Sequence, residues 1–133
     1  MSIRVETDDS IDIVDVTDQV AAAVPDIEDG VCTVFVNHTT AAVSINEAEP
    51  QLLTDIKQFV ETLSASDDWA HDALDGNADA HLRTSLLGRS VSIPVRDGDL
   101  ALGTWQSILI IECDGPRTRS LSVTTVPAVN SNR

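Results

Sequence analysis

Leu52, Ile56, Phe59, Val60 and Leu63 recur at spacings of four, seven, eight and eleven, which marks one apolar stripe on a helix. Glu49-Pro50 is a suitable start for it, with proline at the first helical position. On both sides of this helix the pattern changes to strands. Residues 31–37 are strongly β-prone, with 41–45 as the expected partner beyond a bend at His38-Thr39-Thr40. Residues 91–95, 100–113 and 117–126 also read as strands, joined by Arg96-Asp97-Gly98-Asp99 and by a Gly-Pro turn. Ile11, Ile13 and Val16 alternate with acids as in an edge strand. A short helix bearing Val20, Val24 and Ile27 is expected next, kinked or ended by Pro25. Residues 64–76 read as a polar loop, and Asn77 as the cap of a helix that runs to Leu87 and closes at Gly88. The last seven residues read as frayed. Strands at both ends with two to three helices between them imply an α+β fold, a mainly antiparallel sheet or sandwich, in a single domain over 1–133 with its core at about 10–126.

A chain of 133 residues is long enough to bury roughly two-thirds of its unfolded surface in one core. Its hydrophobic fraction of 42% argues against wholesale disorder. No apolar run approaches the ~20 residues of a membrane span, and residues 1–9 lack an apolar signal core. With only Cys32 and Cys113, a secreted disulfide scaffold is not expected, so the expected location is the cytoplasm. Both cysteines lie in apolar strands, where a free thiol behaves as a small hydrophobe; a disulfide would require the two strands to be neighbours.

Twenty-two acids against eight bases give a formal charge of −14, with 18 acids and two bases in residues 1–79. Such a surface repels nucleic acid and anionic membranes, so neither is expected as a partner. The acids are 16 Asp and six Glu, and Lys57 is the one lysine beside seven arginines. This skew resembles proteins of salt-loving archaea. At molar salt the Debye length falls to ~3 Å, self-repulsion is screened, and many surface carboxylates become tolerable.

Some polar residues do not fit a bland domain. His38 ends a β-run, His71 lies in an acidic loop, and His81 is near the start of the helix after Asn77. Imidazoles and carboxylates at this density suit a borderline divalent ion such as zinc, although the spacings match no standard zinc motif. Continued strand alternation over 103–112 would put Gln106 and Glu112 on one face with Ile108 and Ile110, and Trp105 on the other with Leu109 and Ile111. Arg117 and Arg119 share a face of the last strand. Either Glu112 pairs with one of them across the hairpin, or both guanidiniums are aimed at a phosphate.

His38-Thr39-Thr40-Ala41-Ala42-Val43-Ser44-Ile45-Asn46-Glu47, Asn77-Ala78-Asp79-Ala80-His81-Leu82, Leu86-Leu87-Gly88, Gly103-Thr104-Trp105-Gln106 and the segment from Glu112 to Arg117 follow one another in order. In this the chain closely resembles the YjbQ family, also described as secondary thiamine-phosphate synthase, over roughly residues 10 to 126. The resemblance implies an α+β homotrimer with sites near subunit boundaries. The polar site positions it implies are His38, Asn46, Glu47, His71, Asp79 and His81, with Trp105, Gln106, Glu112, Arg117 and Arg119. The activity named for the family joins a hydroxymethylpyrimidine diphosphate to a thiazole phosphate and releases pyrophosphate.

Three functional readings follow. In a transferase, Arg117, Arg119 and Arg83 would bind phosphate, Asp79 and Glu47 would hold Mg²⁺, and His38 or His81 would handle protons. In a zinc hydrolase of a small phosphorylated or acyl metabolite, His38, His71 and His81 would be ligands, with Glu47 or Glu112 as base. The third is a metabolite- or metal-binding trimer without turnover. The acidity yields a prediction independent of these: the melting temperature should fall as potassium chloride is lowered from molar to millimolar. A melting temperature indifferent to salt would defeat the halophilic reading.

Overall fold

The computed structural model describes residues 1–64 and 68–129. Strand β3 (Gly30–Val36) buries Cys32, Val34 and Val36 on one side and leaves Val31 and Phe35 exposed on the other, as its alternation requires. It pairs on one flank with β8 (Thr118–Pro127) and on the other with β5 (Ser90–Arg96). Adding β1 (Ser2–Glu6) and β6 (Asp99–Leu100) completes a five-stranded sheet in the order β1-β8-β3-β5-β6. A second sheet has the order β2-β7-β4, formed by β2 (Asp12–Asp15), β7 (Ser107–Glu112) and β4 (Ala41–Asn46). All of these pairings are antiparallel.

The layers follow from where the apolar side chains go. Val34, Val36, Ile93, Val95, Leu121 and Val123 of the large sheet meet Val43, Ile108 and Ile110 of the small one in the main core. The small sheet is apolar on its other face too, where Ala42 and Ile111 join Ile11, Val60, Ala80 and Cys113. That face is covered by α2 (Pro50–Thr62) and α3 (Ala78–Leu87). Helix α1 (Thr17–Ala22) places Val20 in the main core. The order of layers is therefore large sheet, small sheet, helices. Cys32 and Cys113 are free and buried, and burial pushes the Cys113 thiol up to about 11. Among the described residues no helix is long and apolar enough to cross a membrane.

Local chemistry explains the boundaries. The Glu49 carboxylate accepts hydrogen bonds from the backbone N–H groups of Gln51 (3.1 Å) and Leu52 (2.7 Å), so α2 has the expected start. Asp97 and Gly98 both have positive φ (51° and 85°), the two-residue turn that matches strand twist between β5 and β6.

Several expectations are corrected. The core begins before residue 10, because β1 pairs with β8 along Ser2–Glu6. The stretch 100–113 is broken: Gln106 Oε1 accepts from the Gly103 N–H (2.7 Å), closing a turn before β7 begins. Trp105 and Gln106 thus lie outside the strand alternation. Phe59 is 62% exposed, since α2 packs through Ile56 and Val60. Asn77 stands at the N-terminus of α3 without a capping bond from its side chain; Asp72 Oδ1 accepts the Ala78 N–H instead (3.0 Å). Within the loop expected over 64–76, residues Ala70–Ala73 form a 3-10 turn. Residues 127–129 are not all loose, since the Ala128 N–H reaches Asp29 O (2.9 Å). Asp67, in the acidic loop, and residues 130–133 lie outside the described residues.

Glu112 and Arg119 form a fully buried ion pair where the two sheets approach. Arg119 Nε donates to Glu112 Oε1 (2.7 Å) and Nη2 donates to Oε2, while Thr7 Oγ1 (2.8 Å) and the Asp114 N–H (2.9 Å) donate to the same carboxylate. Arg119 Nη2 also reaches Thr40 Oγ1 at 2.8 Å. Burial alone would raise the Glu112 pKa, but these donors outweigh it and hold the group below its ordinary value of 4.5. A carboxylate with a lowered native pKa contributes stability that is present above the unfolded value and lost as pH falls through the native one. Glu112→Ala should therefore cost about 3–5 kcal/mol at neutral pH in urea denaturation, because it strands a buried guanidinium. The difference from wild type should shrink below pH 4; a cost under ~1 kcal/mol would show the pair to be dispensable.

Candidate functional site

The bend at 37–40 is held from three directions. Arg89 Nε donates to His38 O (3.0 Å), Thr84 Oγ1 donates to Thr39 O (2.6 Å), and Arg119 grips Thr40 from below. Residues of this bend, of the N-terminal turn of α3 and of the β7–β8 hairpin surround a polar cavity of about 440 Å³. His38, His81, Asn77, Asp114, Arg117 and Arg119 all line it. A volume of this size suits a small metabolite.

His38 sits at the end of β3 with its ring turned to β8. Its Nε2 accepts the backbone N–H of Ser120 at 2.8 Å. The lone pair of the neutral ring is therefore on Nε2, and the proton is on Nδ1. Burial lowers the His38 pKa below 6.5; the Arg119 and Arg117 cations push the same way, against Glu112. His38 is thus a neutral hydrogen-bond donor at pH 7. His71 packs edge-on against His81, with ring centroids 4.8 Å apart. Asn77 connects the two sides of the cavity: Oδ1 accepts from His71 Nε2 (3.1 Å), and Nδ2 donates to Asp114 Oδ2 (3.0 Å). The Asp114 carboxylate also takes Arg117 Nη2 (2.9 Å), while Asp114 O takes Arg117 Nε (2.7 Å). These contacts fix the guanidinium plane and leave its other N–H edge without a partner among the described residues. Burial works to raise the Asp114 pKa, but the bonds from Asn77 and Arg117 outweigh it and keep the group ionised at lower pH.

The expected site residues divide into four groups. His38, His81 and Arg117 share the cavity, with His71 behind His81. Glu112 and Arg119 are committed to each other: Glu112 is sealed from solvent, and so is not placed as a base, and Arg119 is not free for phosphate. Asp79 accepts from Ser64 Oγ (3.0 Å), and Arg83 is tied to the carbonyls of Leu63 (2.9 Å) and Glu61 (3.2 Å) at the end of α2, so neither lines the cavity. Asn46, Glu47, Trp105 and Gln106 lie at the far end of the β4–β7 pair. There Glu47 and a Trp105 that is 73% exposed line a separate cavity of about 320 Å³, while Gln106 serves its own turn.

The three histidines do not converge as a ligand set. His38 spends its one lone pair on Ser120, whereas His71, donating from Nε2 to Asn77, keeps its lone pair on Nδ1. Among the described residues no three His, Cys, Asp or Glu side chains are arranged to hold a metal ion. Thr40, Asn77 and Asp114 stand inside the motif segments without being expected as site residues, and Thr7 lies outside every motif.

In an NMR titration the His38 ring should show the Nδ1–H tautomer and a midpoint below 6.5. Between that midpoint and 6.5 the unfolded chain takes up a proton the native chain refuses, so this residue's effect is a loss of stability as pH falls. A midpoint at or above 6.5, or an Nε2–H ring, would contradict the Ser120 bond.

Residues 1–128 match the family model described as UPF0047 protein YjbQ-like. A UPF0047 protein of Archaeoglobus fulgidus is 50% identical over 124 residues, covering 92% of this chain and 98% of that one. The UPF0047 protein YugU of Bacillus subtilis is 35% identical over 126 residues, covering 90% and 92%. Among solved structures, a YbjQ-like protein of unknown function from Sulfolobus solfataricus superposes with a TM-score of 0.93 at 40% identity, covering 96% of each chain. A hypothetical protein from Aeropyrum pernix gives 0.92 at 41% identity, covering 96% of this chain and 98% of that one. With a family model spanning nearly its whole length and relatives this similar, the chain belongs to the YjbQ-like UPF0047 family.

Proposed function

We propose that the cavity between His38, His81 and Arg117 binds a small phosphorylated metabolite, and that the chain is a transferase with thiamine phosphate formation as its candidate reaction. The observation that carries this reading is the meeting of three separate sequence motifs in one small polar cavity, around a guanidinium whose plane is already fixed. Planar N–H donors held in place suit the oxygens of a phosphate or diphosphate.

The chemistry asks for donors more than for a base. The thiazole nitrogen lone pair attacks the pyrimidine methylene carbon, the C–O bond to the diphosphate breaks, and pyrophosphate leaves with the electron pair. The new nitrogen centre is a thiazolium, so no proton has to be removed from the nucleophile. What must be stabilised is the charge growing on the leaving oxygens. His38 Nδ1–H and the open edge of Arg117 are donors suited to that position. Mg²⁺, when it accompanies a diphosphate, supplies further neutralisation. The zinc hydrolase reading has less support, since His38 commits its one lone pair to the Ser120 N–H.

The test is pyrophosphate release from the two precursors at high salt with Mg²⁺. Arg117→Ala should lower kcat/KM by about 10²-fold, the usual loss for one removed transition-state donor. His81→Ala should lower it while leaving the melting temperature within a few degrees. Trp105→Ala, outside the cavity, serves as a comparison. No product from wild type, or full activity in Arg117→Ala, would overturn the proposal.

A further inference from the structure

The second cavity, at the far end of the β4–β7 pair, differs in chemistry from the first. It measures about 320 Å³ and is lined by Glu47, Ala48, Glu49, Thr104, Trp105 and Ser107. No lysine, arginine or histidine stands among these residues, so nothing in the lining attracts an anion. Trp105 is held there by a turn that closes on itself. The Gln106 N–H donates to Gly103 O (3.0 Å), and the Gly103 N–H donates back to Gln106 Oε1 (2.7 Å). The indole so placed is 73% exposed, an aromatic surface that neither core uses. The segment before α2 supplies the charge. Asn46 Oδ1 accepts the Glu47 N–H (2.8 Å) and fixes the backbone at that point. Glu49 commits its carboxylate to the first turn of α2. Glu47 is half-buried, and its carboxylate has no partner among the described residues. The same holds for the hydroxyls of Thr104 and Ser107.

We infer that this cavity binds a small organic cation, a primary alkylammonium, as a second ligand apart from the one beside His38. The match runs group by group. An ammonium head carries three N–H donors and no acceptor. The three unpartnered side chains in the lining can all accept: one ionised carboxylate and two hydroxyls. An indole face attracts a cation through its ring quadrupole, and with Ala48 it shields the alkyl chain from water. A bare divalent ion fits less well. Mg²⁺ and Ca²⁺ take about six or more oxygen ligands, and Asp79, expected to share Mg²⁺ with Glu47, does not line this cavity. An indole offers such an ion nothing in exchange for its water. The 18 acids and two bases of residues 1–79 also concentrate cations on this part of the chain.

Titration with n-butylammonium chloride, followed by proton–nitrogen NMR in molar potassium chloride, tests this. At that salt the general attraction of a −14 chain is screened beyond ~3 Å, and contact binding remains. The indole N–H signal of Trp105 should move with a dissociation constant on the order of millimolar. The signal of Trp69, the other tryptophan, should stay in place. n-Butanol keeps the chain and lacks the charge, and it should bind at least ~10-fold more weakly. Glu47→Gln should weaken butylammonium binding by a similar ~10-fold. Trp105→Leu, followed through the Ser107 amide signal, should weaken it about 3-fold. Asp99→Asn, at an exposed carboxylate on β6, should leave it unchanged. Equal binding of butanol would overturn the inference by showing an apolar surface only. Equal losses in Glu47→Gln and Asp99→Asn would overturn it by showing diffuse charge only. A Trp105 signal that answers to pyrophosphate and not to butylammonium would also overturn it, and would assign the far-end residues to the first ligand.

Discussion

The Glu112–Arg119 pair fixes how the two sheets meet and how the candidate site is aimed. Burying two charges costs several kcal/mol before their attraction is counted, so the pair's value is better sought in geometry than in net stability. Its partners come from three separate places: Thr7 after β1, Thr40 in the bend and the Asp114 N–H in the hairpin. Room for it is tight. A Cβ on Gly115 would lie 2.2 Å from Asp9 O and 2.8 Å from Glu112 Cγ, which accounts for glycine beside that turn. One residue along β8 from Arg119, the Ser120 N–H holds the His38 ring. The tautomer of the histidine thus descends from the register of a strand anchored by a buried ion pair.

Sequence reading succeeded where the signal is local. Glu49-Pro50 and the Asp97-Gly98 turn carry their geometry in adjacent residues, and the alternation of Cys32, Val34 and Val36 names its buried face. It failed where the deciding partner is distant. Arg119 shares strand parity with Leu121 and Val123 and so points inward with them, while Glu112 and Thr7 meet across 105 positions of chain. Arg117 and Arg119 looked equivalent, but only Arg117 precedes β8 and stays at the surface. His38 and His81 line one cavity, and His71 packs against His81. Their ring orientations depend on hydrogen bonds to Ser120 and Asn77, which no spacing encodes.

The acidity is distributed according to the same layering. Carboxylates on loops, helix faces and strand ends remain in water, where salt screens them, and among the described residues the one fully buried acid is Glu112, paired. The outward rows of β3, β5 and β8 are hydroxyl and apolar. Sheet faces of that kind remain soluble in isolation at the cost of a hydrated apolar patch, and covering them releases that water.

The motif residues are divided by the length of the small sheet. Glu112 pairs with Ala41 at one end and Ser107 with Asn46 at the other, five steps of ~3.4 Å or roughly 17 Å apart. A ligand that fills a cavity of about 440 Å³ beside His38 does not span that distance to Trp105 and Glu47. Within one chain these four far-end residues cannot touch what His38, His81 and Arg117 hold. Either they serve a second ligand in their own cavity, or they reach the first from another copy.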